Sequence, residues 1–488
     1  MRSFIKIIYI LFCFLSFIQS CKILKPDQYL LKSNIEIGEK YSQIITSEDL
    51  NHNLSILASD DFEGRETTYP GQKKAAKFLK NKFINWGISG PVNDTGYYQK
   101  FNVDIQNFSN VNLIINGVKA QFITDFYSYG NPQKVHNQNI ETIDVGYGII
   151  NKIKNPYHKN NVTGKVVLIK EGIPNNKDYK LSAANWRKKL KTAEKQGAIG
   201  VIFLKENYSS TDLEIKKHLQ FPRMKMHNNQ KIKEHLPVFF VNEELLKRDT
   251  INFIDFSTDV NITKTAENVL GFIPGKSEEV LVISAHYDHI GFDQGEICNG
   301  ADDDGSGSVA LLSIAKAFQE AYLNGVQPQR GILFLLVSGE EKGLFGSKYY
   351  TDNPIFPLSN TIADLNIDMI GRQDTIQKDN NYIYLIGSDK ISDQLHIINE
   401  QTNSKYIKFN LDYTYNDEND PNQFYYRSDH YNFAKNNIPV IFYFGGLHED
   451  YHKPSDEVDK IDFEKLEKVT QYIFLTAWEL AYRKNAIK

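Results

Sequence analysis

Four short apolar runs in the second half of this chain each end on side chains able to bind metal ions. His286 and Asp288 follow Val280–Ser284, and Glu340 and Glu341 follow Ile332–Val337. Asp368 closes the run Ile362–Ile367, and His448 and His452 follow Val440–Phe444. After the first run comes Asn299-Gly300-Ala301-Asp302-Asp303-Asp304-Gly305-Ser306-Gly307, three adjacent carboxylates in a glycine-rich loop. Left unpaired these carboxylates repel one another, so a cation is expected among them. Each group alone has a plainer explanation: a hydrogen-bonded His-x-Asp pair, a solvated Glu-Glu, an Asp run at a helix N-terminus. Their recurrence at equivalent strand ends argues for a metal site, because open α/β sheets bind ligands at the carboxyl edge of their strands.

His448-Glu449-Asp450-Tyr451-His452 also satisfies the H-E-x-x-H pattern of zincins. That pattern works only on a helix, where positions i and i+4 share a face. Here an apolar strand and Gly445-Gly446 run straight into it and Lys453-Pro454 follows, so a helix is not expected.

Strand-like runs alternate with amphipathic stretches near Val309–Ala321, Gly346–Thr351 and Phe463–Ala486. This alternation predicts an α/β fold, a mostly parallel central sheet covered by helices on both faces. Ser47 to Gly87 reads as helical, interrupted by a loop from Ser59 to Gly71. From Val111 to Ile262 short apolar runs stand between Asn, Gly and Lys clusters, with one amphipathic helix at about Ser182–Gln196, which reads as a strand-rich insert. The expected organisation is a leader at 1–21, a tether at 22–44, a main domain at 45–110 and 263–488, and the insert at 111–262.

The chain has 488 residues, enough for two or three domains. With 56 Lys+Arg against 60 Asp+Glu the formal net charge is −4 and no basic block stands out, which argues against nucleic acid as a partner. Arg2 and Lys6, the apolar run Ile7–Ile18 and Gln19-Ser20-Cys21 have the anatomy of an export signal. Ser20-Cys21 resembles the end of a bacterial lipobox, so the expected location is outside the cytoplasm with a lipid anchor on Cys21 as the sole membrane attachment; plain secretion is the alternative. Of Cys13, Cys21 and Cys298 only the last is expected to remain as a free thiol, so no disulfide framework is expected.

These residues resemble the di-zinc aminopeptidases of metallopeptidase family twenty-eight, whose relatives include glutamate carboxypeptidases and the transferrin receptor. The matching stretches are His286-Tyr287-Asp288-His289, Gly300-Ala301-Asp302-Asp303, Ser338-Gly339-Glu340-Glu341, Asn366-Ile367-Asp368-Met369, Ser428-Asp429-His430 and Tyr451-His452 with Pro454 and Asp456. Upstream, Ala58-Ser59-Asp60 and Glu63-Gly64-Arg65-Glu66 are similar to the family's N-terminal signature. The insert resembles a protease-associated domain through Gly164-Lys165-Val166-Val167-Leu168-Ile169 and Gly197-Ala198-Ile199-Gly200-Val201-Ile202.

Carried over position by position, the resemblance implies a fold of the zinc exopeptidase type and two Zn2+ ions bridged by Asp303, one also held by His286 and Asp368, the other by Glu341 and His452. Two such ions against three carboxylates and one solvent anion leave a neutral site that tolerates burial. It further implies Glu340 as general base and acid, Asp288 as the group that orients a ligand imidazole, and Tyr451 as donor to the oxyanion. The expected activity is removal of N-terminal residues from peptides with a free N-terminus. The rivals are a carboxypeptidase, with Arg372 and Arg427 as cations for a terminal carboxylate, a single-zinc glutaminyl cyclase, and a non-catalytic receptor-like protein.

Overall fold

The computed structural model describes residues 35–487 apart from 94–95, 153, 159, 175–179, 211, 229–232 and 244–252. The leader at 1–21, with Cys21, lies outside the described residues. The chain divides into two compact units, one formed by the described residues up to Lys100 with Ala266–Lys488, the other by Phe101–Thr265.

The first unit is built on a sheet whose strands include β1 (Asn261–Ile273), β2 (Val280–His286), β3 (Gly331–Val337), β4 (Thr361–Asp368), β5 (Tyr382–Ile386), β6 (Asn410–Asp412) and β7 (Val440–Phe444). They lie in the order β6-β5-β7-β4-β2-β3-β1. Every residue of β2 and β3 is buried, the pattern of strands covered on both faces. Alternate side chains part accordingly. Leu281, Ile283 and Ala285 enter one apolar cluster, Val280 and Val282 the other.

Helices α1 (Ser47–Leu57), α2 (Pro70–Trp86), α3 (Gly307–Leu323) and α6 (Phe463–Tyr482) supply the first cluster; α4 (Phe345–Asp352) supplies Tyr350 to the second, and α5 (Asp393–Thr402) adds Leu395 and Ile398 to the first. Their ends follow local chemistry. Thr46 accepts the N–H of Asp49 at the start of α1, and Asp462 accepts that of Lys465 at the start of α6. Pro70 opens α2, and Gly87 closes it at φ 73°, a left-handed conformation that costs glycine little.

The parallel core β3-β2-β4-β7 is as expected, and the borders differ. β1 pairs antiparallel with β3, and β5 antiparallel with β7. β5 and β6 are not among the strands expected from the sequence. The last helix ends at Tyr482 rather than Ala486: Arg483 is extended, and the buried Arg330 guanidinium takes the carbonyls of Leu480 and Arg483 at 3.0 and 2.7 Å. Ile35–Ser42, in the stretch expected as tether, is helical, and its Tyr41 stacks on Trp478 with ring centroids 5.9 Å apart.

In the second unit an eight-stranded sheet has the parallel core Val135–Asp144, Val166–Lys170, Gly200–Lys205 and Val238–Asn242. Its helix Trp186–Lys195 is capped by Asn185, which accepts the N–H of Arg187 at 3.0 Å. No helix among the described residues is long and apolar enough to cross a membrane.

Candidate metal centre

Register brings the expected ligands to one edge. His286, the last residue of β2, is level with Val337 of β3, and Asp368, the last of β4, is level with Phe444 of β7. The four parallel strands therefore deliver His286, Glu340, Glu341, Asp368 and His452 to their common carboxyl edge, and the loop before α3 brings in Asp303.

Asp303 stands between two groups. His286 Nε2 lies 3.4 Å from Asp303 Oδ1 and 3.5 Å from Asp368 Oδ1. His452 Nε2 lies 3.1 Å from Asp303 Oδ2 and 3.1 Å from Glu341 Oε2. Two atoms bound at about 2.0–2.1 Å to one tetrahedral zinc ion lie about 3.3–3.4 Å from each other, so these separations suit donors that share an ion. Glu341 Oε1 and His289 Nδ1, 2.9 Å apart, are both buried without a well-formed hydrogen bond, and a cation between such donors would satisfy both. Imidazole and carboxylate donors are those zinc accepts.

The charges are strongly coupled. Burial pushes the Asp303 carboxyl up, but the imidazoles of His286, His452 and His289 outweigh it and hold Asp303 well below the usual carboxylate range. Burial and the Asp303 charge likewise raise Glu341, yet His289 and His452 bring it down to about 2. Burial disfavours the cation of His452, but Asp303 and Glu341 raise it to about 10. The carboxylates thus demand positive charge at the positions where ions would stand. Glu340 differs: burial lifts it well above its ordinary value, with Glu341, Asp429 and Asp368 adding and His286 opposing.

The remaining expected residues fall nearby with changes of detail. Nδ1 of His286 faces the main-chain carbonyl of Asp288 at 3.1 Å, whereas the Asp288 carboxylate is 3.9 Å away. The carboxylate instead accepts Thr67 Oγ1 at 2.6 Å and the N–H of Glu340 at 3.3 Å, so it positions the Glu340 turn. Tyr451 stacks on His452 with centroids 3.9 Å apart; burial and then Asp303, Glu341 and Glu340 push its phenol up, which keeps the hydroxyl protonated and able to donate. Residues 448–452 form turns and no helix, and His448 pairs with Asp302 at 3.3 Å rather than joining His452, as the zincin pattern would require.

Several contributors carry no sequence signal beyond their motif. His289, fully buried, places Nδ1 2.9 Å from Glu341 Oε1 and 3.7 Å from Asp303 Oδ2, so it forms a further possible ligand triad with them. Asp304 forms another with His286 and Asp368, though its Oδ1 already accepts the N–H groups of Gly307 and Met369 at 2.9 and 3.0 Å. Arg65, fully buried, donates to the carbonyls of Tyr287, Leu57, Asn299 and Gly300 and so pins together the loops that carry His286 and Asp303. Beside the ligands an apolar pocket is walled by Met369, Phe424, Phe442, Phe444 and Leu447.

The fold is of the zinc exopeptidase type. Two solved structures share it: an aminopeptidase from Aneurinibacillus sp. strain AM-1 (TM-score 0.51, 19% identity, 92% of this chain and 97% of that one) and the zinc aminopeptidase BSAP of Bacillus subtilis (TM-score 0.51, 18% identity, 90% and 96%). Residues 268–477 match peptidase family M28 and residues 132–248 the PA domain. Along the chain the region similar to the PA domain thus comes before the region similar to peptidase family M28. A protein of Arthroderma otae named "Probable leucine aminopeptidase" is 31% identical over 223 residues, 44% of this chain and 58% of that protein. "Aminopeptidase YwaD" of Bacillus subtilis is 24% identical over 235 residues, 46% of this chain and 47% of that protein. The matched region thus spans less than two thirds of the length of these relatives.

Proposed function

We propose that this chain is an aminopeptidase that hydrolyses the first peptide bond of substrates with a free N-terminus, using two zinc ions held by His286, Asp303 and Asp368 and by Asp303, Glu341 and His452. The observation that carries this reading is Asp303, whose two oxygens face two different imidazoles at 3.4 and 3.1 Å. Bound there, the ions would polarise the scissile carbonyl and acidify water. Glu340, adjacent to the Glu341 ligand, lines the same pocket and takes the water proton and returns it to the leaving amine; its raised proton affinity suits that exchange near neutral pH. Tyr451 donates its hydroxyl to the developing oxyanion. The pocket receives the first side chain, to which Met369, Phe424, Phe442, Phe444 and Leu447 offer apolar contact. The curated relatives' names support the same chemistry.

Of the two arginines a carboxypeptidase could use, Arg372 is committed to Asp450 at 3.0 Å. Export and a lipid anchor on Cys21 belong to the same proposal and rest on the leader alone.

The test is hydrolysis of leucine p-nitroanilide against N-blocked peptides, with and without chelator, and with Glu340→Gln. Activity on free N-termini alone, lost on chelation and reduced about 10²–10⁴-fold in E340Q with zinc content intact, is expected. Cleavage of the blocked peptides, or an E340Q enzyme as active as the parent, overturns the reading.

A further inference from the structure

Arg427 lines the metal-bearing pocket and is exposed. Its guanidinium lies over the Phe424 ring, 4.8 Å from the centroid, and among the described residues no carboxylate pairs with it. The contrast with Arg372 and Arg330, which are held by Asp450 and Glu279, is chemical: a guanidinium presents a planar fork matched to a carboxylate, and this one is left open toward the pocket. The contact over Phe424 does not consume its N–H donors. The other groups around the pocket are apolar walls, Tyr451, Ser428, the His286 imidazole and the acidic side chains, so Arg427 brings the one guanidinium to the pocket lining.

We propose that Arg427 is a specificity determinant that binds a carboxylate of the substrate, a role that rests on the aminopeptidase reading of the same pocket. That carboxylate has two sources, the C-terminus of a dipeptide or the side chain of an acidic first residue. In either case the guanidinium gives the substrate a second fixed point besides the metal centre, and it disfavours substrates that bring a positive charge to that place.

The experiment compares matched pairs that differ only in that charge: Leu-Gly against Leu-Gly amide, and Glu against Gln p-nitroanilide. For each pair the ratio of kcat/KM is measured in the parent protein, Arg427→Gln and Arg427→Lys. The expected result is a preference for the carboxylate member of one pair of about tenfold, lost in R427Q and partly kept in R427K, where charge remains and the fork is gone. The pair that responds identifies the source. Ratios in both pairs that are the same in R427Q as in the parent overturn the proposal. If the parent hydrolyses none of these substrates the aminopeptidase reading fails instead; binding of Leu-Gly and Leu-Gly amide to zinc-loaded E340Q, with and without R427Q, then reads the same ratio without turnover.

Discussion

The carboxylate of Asp456 accepts the main-chain N–H of Asp303 at 3.2 Å and that of Asp302 at 3.1 Å. The loop that follows His452 is thereby tied to the loop that offers Asp303, and these two proposed ligands are set against each other through a main-chain contact of Asp456. Asp456→Ala removes this acceptor and leaves two buried N–H groups unpaired. Zinc affinity is expected to fall about 10–100-fold, the usual effect of losing support for a ligand. Competition with a chromophoric chelator measures it, and an unchanged affinity would assign Asp456 to folding alone.

Tyr451→Phe keeps the ring stacked on His452 and deletes the hydroxyl. If that hydroxyl serves the transition state, kcat falls about 10²–10³-fold while KM and zinc content stay near parent values. A loss confined to KM would make Tyr451 a binding group.

Arg65→Lys tests the pinning of the ligand loops. Lysine keeps the charge but cannot reach four carbonyls with a planar fork, and each buried carbonyl left unpaired costs about 1–3 kcal/mol. Urea unfolding should show a loss of at least about 2 kcal/mol. An equally stable variant would mean that the carbonyls find other partners.

His430 is buried and stacked on Phe442 with centroids 4.8 Å apart; burial lowers it to about 3 from an ordinary 6.5. The folded state therefore binds the proton more weakly than the unfolded chain. The stability it contributes is complete above pH 6.5 and declines as pH falls toward 3, by about 1.4 kcal/mol per pH unit within that window. His430→Phe retains the stacking without the titration. Between pH 7 and 4 the urea midpoint of the parent should fall relative to that of H430F, and parallel profiles would contradict this assignment.

The residue types at the metal centre were legible because strand ends in a parallel sheet are local features: an apolar run, then His, Asp or Glu. The same holds for the rejection of a helix at 448–452, since a strand, two glycines and a proline surround it. Of the added strands, β5 is a short run of aromatic and aliphatic residues that carries a strand signal, whereas β6 is three residues long and is fixed only by its pairing with β5.

Sequence alone therefore determined which residues are candidate donors, the alternation of strands and helices that brings them to one edge, and the presence of an insert, all written in short-range periodicity and motif spacing. Tertiary structure decided that Arg65 holds carbonyls up to 235 positions away, that Asp288 positions Glu340 while its carbonyl faces the imidazole, that His448 turns to Asp302, and that Arg427 is open where Arg372 is paired. Those choices rest on which polar groups meet after the chain has packed, and a buried group takes whatever partner the fold places within hydrogen-bond reach.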